Sequence, residues 1–301
     1  MQEKFLAIKV DVDTNRGTRI GVPNLIELFA ELKIPATFLF SLGPDNTGRA
    51  IKRVFRRGFL KKVSRSSVIS TYGFRTLLNG VLFPGPHIGK RNEKIIRATQ
   101  LADHEVGIHC YDHIRWQDGL SKMSREEVLN EFAKAQEEFQ RIFGFSALTA
   151  GAAGWQTNEF SLAAYDDAKL LYASDTRGTH PFFPRIGTTV FKTLQIPTSL
   201  PTLDELLGRP EYPFNILIDF YLRQLKIQEF PILTIHAELE GMKYITWFKN
   251  FLIQLKNENI QFIKLENIAK KLLAQPQTIP ICSVVQSTID GRSGTLAIQH
   301  I

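Results

Sequence analysis

Short apolar runs alternate with amphipathic helical patterns along almost the whole chain, and no linker rich in Pro, Gly or Ser separates them. Strands are predicted at eight places: 5–11, 36–42, 104–109, 147–152, 171–175, 191–199, 230–239 and 260–265. The clearest helix is predicted over 124–143, where Ser124 and Glu127 form a capping box. Strand–helix alternation of this kind favours an α/β fold around a largely parallel sheet. Seven or eight such units suit a barrel better than an open sheet.

Length and composition limit the number of domains. The 301 residues, 44% of them apolar, are enough for one large core or two domains at most. We predict one domain over 1–275, with an insert at about 44–95 after the second strand, and a tail over 276–301 that forms a hairpin. No run of 18 apolar residues and no signal-peptide pattern occurs. The two cysteines, Cys110 and Cys282, provide no disulfide framework, so we expect a cytoplasmic protein.

Positive charge is concentrated in one segment of the chain. Between Asp45 and Glu93 there is no Asp or Glu, whereas the same stretch contains eleven Lys or Arg residues. Because this exceeds the net charge of +7 of the whole protein, the remainder of the chain is slightly acidic. A partner with negative charge is the simplest reason for such a segment.

Polar side chains that can carry chemistry lie at the ends of several predicted strands. Asp11 and Asp13 end the first strand, His109 ends the third, and Asp175 and His236 end later ones. In an α/β barrel the working residues come from the C-terminal ends of the strands. The pattern therefore predicts one shared site.

A metal site is one interpretation of two of these segments. His109 and His113 are four residues apart and can face one cation if the chain turns helically after the strand. Two imidazoles and one carboxylate leave a position open for water, as hydrolytic metal sites require. Alternate strand residues point to the same side, so one of Asp11 and Asp13 can bind the metal while the other takes a proton from water. Alone, however, such a histidine pair is more often an ordinary polar turn, and two carboxylates at a strand end can cap a helix.

His236 is a candidate general acid for a leaving nitrogen, although a histidine at this position can equally be a satisfied core residue. The other histidines are interpreted as structural or surface residues: His87, His104, His180 and His300. The chain has no glycine-rich phosphate loop, and its cysteines lack a Cys–His–Asn setting. These absences argue against nucleotide hydrolysis and thiol catalysis.

The order of "DVD", then "HEVGIHCYDH", then a late strand ending in His resembles the polysaccharide deacetylase, or NodB-homology, family. The resemblance implies a distorted (β/α)7 barrel, here with a basic insert after the second strand, and a metal-dependent amide hydrolase. It also implies that Asp11 is the catalytic base and His236 the catalytic acid. Asp13, His109 and His113 are implied to bind one divalent metal ion. Zinc, cobalt and manganese stay open, because one Asp with two His suits all three.

The third motif of the chain departs from the family pattern. Most members carry an Arg in an "RxPxG"-like motif that steadies the base carboxylate, whereas the corresponding "AGAAG" begins with Ala150. Arg177 in "SDTRG" is one candidate to replace that Arg. The alternative is that Asp175 orients the site differently.

Within the family, "DVDTNRGTRIGVP", "SLGPDNTGR" and "TIHAELEGM" are similar to segments of members that remove formate from 4-deoxy-4-formamido-L-arabinose linked to undecaprenyl phosphate. Their amino-arabinose product is used to modify lipid A, which gives resistance to polymyxin and other cationic peptides. The implied partners are a polyprenyl-phosphate-linked sugar and the anionic inner-membrane surface, with the protein peripheral on its cytoplasmic face. The residues expected to contact lipid phosphate are Arg49, Lys52, Arg53, Arg56, Arg57, Lys61, Lys62 and Arg65.

Two other functions are left open by the residues themselves. An N-deacetylase of another sugar or polysaccharide would differ only in its pocket, and formyl rather than acetyl specificity rests on the resemblance alone. A basic nucleic-acid-binding protein would explain the insert but not the Asp and His residues. Because no recognised nucleic-acid motif occurs, no nucleic acid partner is expected.

Overall fold

The computed structural model describes residues 4–50, 79–81 and 83–301. Its strands are β1 Phe5–Val12, β2 Thr37–Ser41, β3 Glu105–Cys110, β4 Thr149–Ala150, β5 Tyr172–Ala173, β6 Phe183–Ile186, β7 Thr189–Val190, β8 Leu194–Gln195, β9 Ile232–His236, β10 Gln261–Ile263, β11 Ile281–Ser287 and β12 Leu296–His300. The α-helices in these residues are α1 Val22–Leu32, α2 Ile88–Leu101, α3 His113–Gly119, α4 Arg125–Phe143, α5 Glu159–Asp167, α6 Leu203–Leu206, α7 Leu217–Ile227, α8 Ile245–Asn257 and α9 Leu265–Leu273.

Parallel strands form the main sheet. Its order is β10, β1, β2, β3, β4, β5 and β8, and β9 also pairs with β1. The sheet curls into a half-barrel, and helices α1, α4 and α8 bury apolar side chains in the core against it. The structure confirms the predicted fold class, a distorted (β/α)7 barrel of the NodB-homology type.

Strand β1 lies at the centre of this sheet. Seven of its eight residues are buried, which is the pattern of a parallel strand covered on both faces. Strand β2 pairs along one side, while β10 and β9 share the other, β10 along 5–7 and β9 along 7–11. The C-terminal end of β1 therefore lies between the C-terminal ends of β2 and β9.

Helix α4 begins and ends as the sequence predicts. Glu127 N–H donates to Ser124 Oγ over 3.2 Å, and Ser124 N–H donates to Glu127 Oε2 over 3.0 Å. Gly144 ends the helix with φ of 81°, a conformation that glycine adopts without strain. The apolar face of α4 is buried in the core, where it covers the sheet.

A second sheet has the order β12, β11, β6 and β7. Strands β6 and β7 are not among the eight strands predicted from the sequence. Strands β11 and β12 pair antiparallel within the tail for which a hairpin is predicted. Arg177 joins this hairpin to the rest of the protein. Its N–H donates to the Ala297 carbonyl over 3.0 Å, and its carbonyl accepts from Gln299 N–H over 2.8 Å. These bonds place the tail next to the C-terminal ends of the main strands.

Most of the predicted basic insert, 51–78, lies outside the described residues. Helix α2 begins within the predicted range of the insert, and it buries Ile88 and Ile96 in the protein. Among the helices that the structure describes, none has the length and apolar character needed to cross a bilayer.

Candidate metal centre and catalytic groups

The C-terminal ends of β1, β3 and β9 bring together most of the side chains that are predicted to carry chemistry. Asp11 lies opposite His236 in the parallel pairing of β1 with β9. His109 is the penultimate residue of β3, which β2 separates from β1. Asp11 and His109 are both buried, so their interactions with other charged groups are only weakly screened by solvent.

Asp13, His109 and His113 form a compact cluster. Asp13 Oδ1 is 3.2 Å from His109 Nε2 and 3.4 Å from His113 Nε2. One possible ligand atom from each residue lies within 4.8 Å of the other two. Burial acts to raise the pKa of Asp13, but the neighbouring His113 and His109 outweigh it and hold that pKa well below its ordinary value.

Local hydrogen bonds orient the His109 imidazole and hold the start of the helix that carries His113. His109 Nδ1 is 2.6 Å from the carbonyl oxygen of Gly151, which can only accept, so Nδ1 carries a proton and Nε2 is directed at Asp13. His113 is the first residue of α3, and Asp112 caps the N-terminus of that helix. Asn46 donates from Nδ2 to Asp112 Oδ2 over 2.6 Å, which holds the cap in place.

The cluster fits a divalent metal ion. Asp13 Oδ1 is buried and has no hydrogen-bond partner among the described residues. Either a second proton on His109 or a cation must lie between this oxygen and His109 Nε2, because two lone pairs would otherwise face each other at 3.2 Å. Burial acts to lower the pKa of His109, but Asp11 and Asp13 outweigh it and raise that pKa. One carboxylate and two imidazoles form a donor set that catalytic metal ions use, so a metal ion and this proton compete for the same place.

Asp11 lies beside the cluster without joining it. Its Oδ1 is 3.9 Å from His109 Nδ1 and has no hydrogen-bond partner in the described part of the chain. Its Oδ2 is 3.4 Å from Lys9 Nζ. A buried carboxylate with one uncommitted oxygen next to a metal-binding cluster is well placed to accept a proton.

His236, the last residue of β9, lies next to Asp11 in the pairing of β9 with β1. Its Nδ1 is 3.9 Å from Asp204 Oδ1, and this nitrogen is buried without a hydrogen-bond partner in the ranges that the structure describes. The backbone N–H of His236 donates to Glu240 Oε2 over 2.9 Å. Burial raises the pKa of Glu240 to about 7, although the nearby His236 acts to lower it. The side chain of His236 therefore lies close to Asp204, while its backbone is held by Glu240.

Comparison with known proteins identifies the family. The family model described as polysaccharide deacetylase matches residues 2–158. A protein from Shewanella sediminis named "Probable 4-deoxy-4-formamido-L-arabinose-phosphoundecaprenol deformylase ArnD" is 36% identical over 294 residues, which cover 98% of this chain and 94% of that protein. The chain belongs to the polysaccharide deacetylase family.

Further relatives agree with this assignment. A protein of the same name from Wigglesworthia glossinidia brevipalpis is 36% identical over 286 residues, or 94% of this chain and 98% of that one. The crystal structure of a probable polysaccharide deacetylase from Pseudomonas aeruginosa has the same fold, with a TM-score of 0.61 and 16% identity over 90% of this chain and 91% of that chain. The enzymes of the polysaccharide deacetylase family hydrolyse amide C–N bonds, so this member is a hydrolase.

In this member of the family, Glu238 supports the loop that carries Asp13, a role that no sequence motif predicts. Its Oε1 accepts from the N–H groups of Asp13 and Thr14 over 3.1 and 2.9 Å, and from Thr14 Oγ1 over 2.7 Å. Gly17 makes room for it, because a Cβ at that position would lie 2.0 Å from Glu238 Oε1. Burial and the charge of Asp13 raise the pKa of Glu238 well above its ordinary value. Its only sequence signal is its place two residues after His236.

Neither candidate for the missing third-motif Arg contacts the base through an ion pair or hydrogen bond in the described residues. Arg177 donates from Nη1 to Glu205 Oε1 over 2.6 Å, which commits its guanidinium to a buried acid. Asp175 accepts from the Ala152 N–H over 2.6 Å, and burial raises its pKa to about 6. The structure thus gives Arg177 no contact that would support a direct role at Asp11.

The C-terminal tail reaches the His236 side of the candidate site. Arg292 Nη1 lies 3.5 Å from Glu205 Oε1 and 3.9 Å from Asp204 Oδ2. Its guanidinium packs over the Trp155 ring, 4.4 Å from the ring centroid. Gly291 has φ of +84°, and a Cβ there would lie 2.4 Å from the Glu205 carbonyl oxygen, so the tail loop fits closely against α6.

Arg49 is the one residue of the proposed lipid-phosphate set that the structure describes. Its Nε donates to the Gly80 carbonyl over 3.0 Å. The other seven lie outside the described residues: Lys52, Arg53, Arg56, Arg57, Lys61, Lys62 and Arg65. The membrane contact therefore stays a prediction.

Proposed function

We propose that the protein is a deformylase that removes formate from 4-deoxy-4-formamido-L-arabinose linked to undecaprenyl phosphate. The observation that carries this proposal is the convergence of Asp13, His109 and His113 with Asp11 and His236 at one end of the sheet. The names of the two relatives, each matched over more than nine-tenths of both chains, support the choice of substrate. The product would be the amino-arabinose lipid used to modify lipid A and resist cationic peptides.

Each side chain has a role in this proposal. Asp13, His109 and His113 would hold one divalent ion, which we expect to be zinc, cobalt or manganese. When bound, such an ion polarises a carbonyl group and lowers the pKa of a water molecule. Asp11 accepts a proton from the attacking water, and His236 donates a proton to the nitrogen as the C–N bond breaks. Water and the formamide thereby give formate and an amine.

The deciding experiment compares two amides of the same lipid-linked sugar. The metal-stripped protein is incubated with the formamido substrate and with its acetamido analogue, with zinc, cobalt or manganese added in turn, and formate, acetate and the amino sugar are quantified by mass spectrometry. We expect metal-dependent release of formate, and its loss in Asp11→Asn protein. Release of acetate but not formate would instead favour the N-deacetylase function.

We also propose that the basic stretch between Asp45 and Glu93 contacts the anionic cytoplasmic face of the inner membrane. Eleven Lys or Arg residues without one acid support this, because each basic residue near an anionic bilayer contributes about 1 kcal/mol. Reversal of four charges, with Arg53, Arg56 and Arg57 changed to Glu together with Lys61→Glu, should abolish binding to anionic liposomes. Turnover of the lipid-linked substrate should fall, while a short soluble formamido-sugar should react at nearly the original rate. Loss of RNA or DNA binding with unchanged liposome binding would favour a nucleic-acid partner.

A further inference from the structure

Lys9 is a fully buried cation in the middle of β1, two residues before Asp11. Its Nζ donates to the Ser174 carbonyl oxygen over 3.2 Å and lies 3.4 Å from Asp11 Oδ2. The ammonium group also lies 5.3 Å from the centroid of the Trp155 ring. Asp11, the carboxylate that Lys9 approaches, lies beside the metal-binding cluster.

Burial of an ammonium group is unfavourable unless nearby groups compensate its charge. Burial lowers the pKa of Lys9, and the carboxylates of Asp11 and Asp175 oppose that change. Lys9 shares its face of β1 with Asp11, because alternate residues of a strand point to the same side. A lysine at this position therefore has its simplest explanation in the carboxylates that it faces.

The contact with Asp11 is also directional. Lys9 Nζ approaches Oδ2, while the other oxygen, Oδ1, lies towards His109 and has no hydrogen-bond partner in the part of the chain that is described. One carboxylate oxygen is thus held by a cation and the other is left for chemistry. Lys9 is not among the metal-binding cluster, and of the candidate catalytic groups it approaches Asp11, so we expect its effect on the reaction to pass through Asp11.

We propose that Lys9 is a positioning residue of the reaction, whose ammonium group orients the Asp11 carboxylate and balances its charge so that Oδ1 is directed into the site. The inference rests on the proposed role of Asp11 as the base. Lys9 takes no part in binding the metal and does not touch the substrate.

The test is a double-mutant cycle with Lys9→Met and Asp11→Asn. Lys9→Met should lower kcat by about 10²-fold or more, the usual contribution of a positioned base, and leave KM and metal content nearly unchanged. In the Asp11→Asn background the same substitution should have almost no further effect on kcat, because the group through which it acts is already lost. Lys9→Arg, which keeps the charge, should recover part of the rate.

A second uncharged variant, Lys9→Gln, keeps the proposal testable if Lys9→Met does not fold. Lys9→Gln keeps a donor for the Ser174 carbonyl but has no charge, so a rate loss like that of Lys9→Met assigns the effect to charge. Equal losses of kcat in the wild-type and Asp11→Asn backgrounds, loss of metal, or an unchanged kcat would each overturn the proposal. All variants are assayed on whichever amide the wild-type protein hydrolyses. A failure of formyl specificity is therefore recognised separately from a failure of the Lys9 inference.

Discussion

The raised pKa of Glu240 predicts how the stability of the protein changes with pH. Its side chain is 1% exposed, and burial raises its pKa from an ordinary value of 4.5 to about 7. At about 1.4 kcal/mol for each pKa unit, the folded state gives up about 3 kcal/mol of stability when Glu240 ionises. The folded protein holds this proton between pH 4.5 and about 7 and the unfolded chain does not, so stability is lost as the pH rises through this window.

Glu240→Gln removes the ionisation and keeps an acceptor oxygen for the His236 N–H. We subtract the free energy of unfolding of wild type from that of the variant, both measured by urea titration without metal. This difference should rise by about 3 kcal/mol from pH 4 to pH 8, because only wild type loses stability as Glu240 ionises. The change with pH is decisive, because the offset at any one pH also contains packing differences. Glu27→Gln, an exposed position on α1, should follow the wild-type curve. If Glu240→Gln also ran parallel to wild type, the buried carboxyl would not be the source of the pH dependence.

Three further predictions concern the metal centre. His109→Ala and His113→Ala should each lower the metal content measured by elemental analysis, because each removes one of three ligands. His300→Ala, at an exposed position on β12, should not. Full metal occupancy in both site variants would contradict the proposed site. Glu238→Ala should weaken metal binding by about 10–100-fold in competition titrations, as loss of a group that orients a ligand usually does, while Glu238→Gln, which keeps the acceptor for Asp13 and Thr14, should stay close to wild type. Asp112→Ala should remove the cap of α3 and destabilise the protein by about 1 kcal/mol in thermal unfolding. Metal binding should also weaken, because α3 carries His113. Unchanged metal binding would show that the helix holds His113 without its cap.

The sequence predicts well the parts of the site that depend on strand ends. In parallel β/α units the C-terminal ends of all strands meet at one edge, so chain order suffices to bring Asp11 and Asp13 near His109. His236 follows for the same reason, since β9 pairs with β1. Helix α4 is equally local, because its capping box and its apolar stripe are complete within one segment.

Contacts between segments that are far apart in the chain leave no comparable pattern in the sequence. Glu238 bonds to the Asp13 N–H across 225 positions of the chain, and only the pairing of β9 with β1 decides that these groups meet. Lys9 looks like an ordinary strand residue until burial turns its position into a contact with Asp11. Strands β6 and β7 have four and two residues, too few for an alternating pattern to be recognised.

Trp155 lies between Lys9, which contacts Asp11, and Arg292, which lies near Asp204, so its fluorescence can report on changes around both acids. Its indole ring is buried among three cationic side chains: Lys9 from the Asp11 side, and Arg177 and Arg292 from the Asp204 side. Nearby charges shift the emission of an indole, so its fluorescence should respond when these groups move or change charge. The other two tryptophans of the chain, Trp116 and Trp247, can be replaced by Phe to isolate its signal. Such a protein would allow ligand binding and the Lys9 variants to be followed by light emission, without a turnover assay.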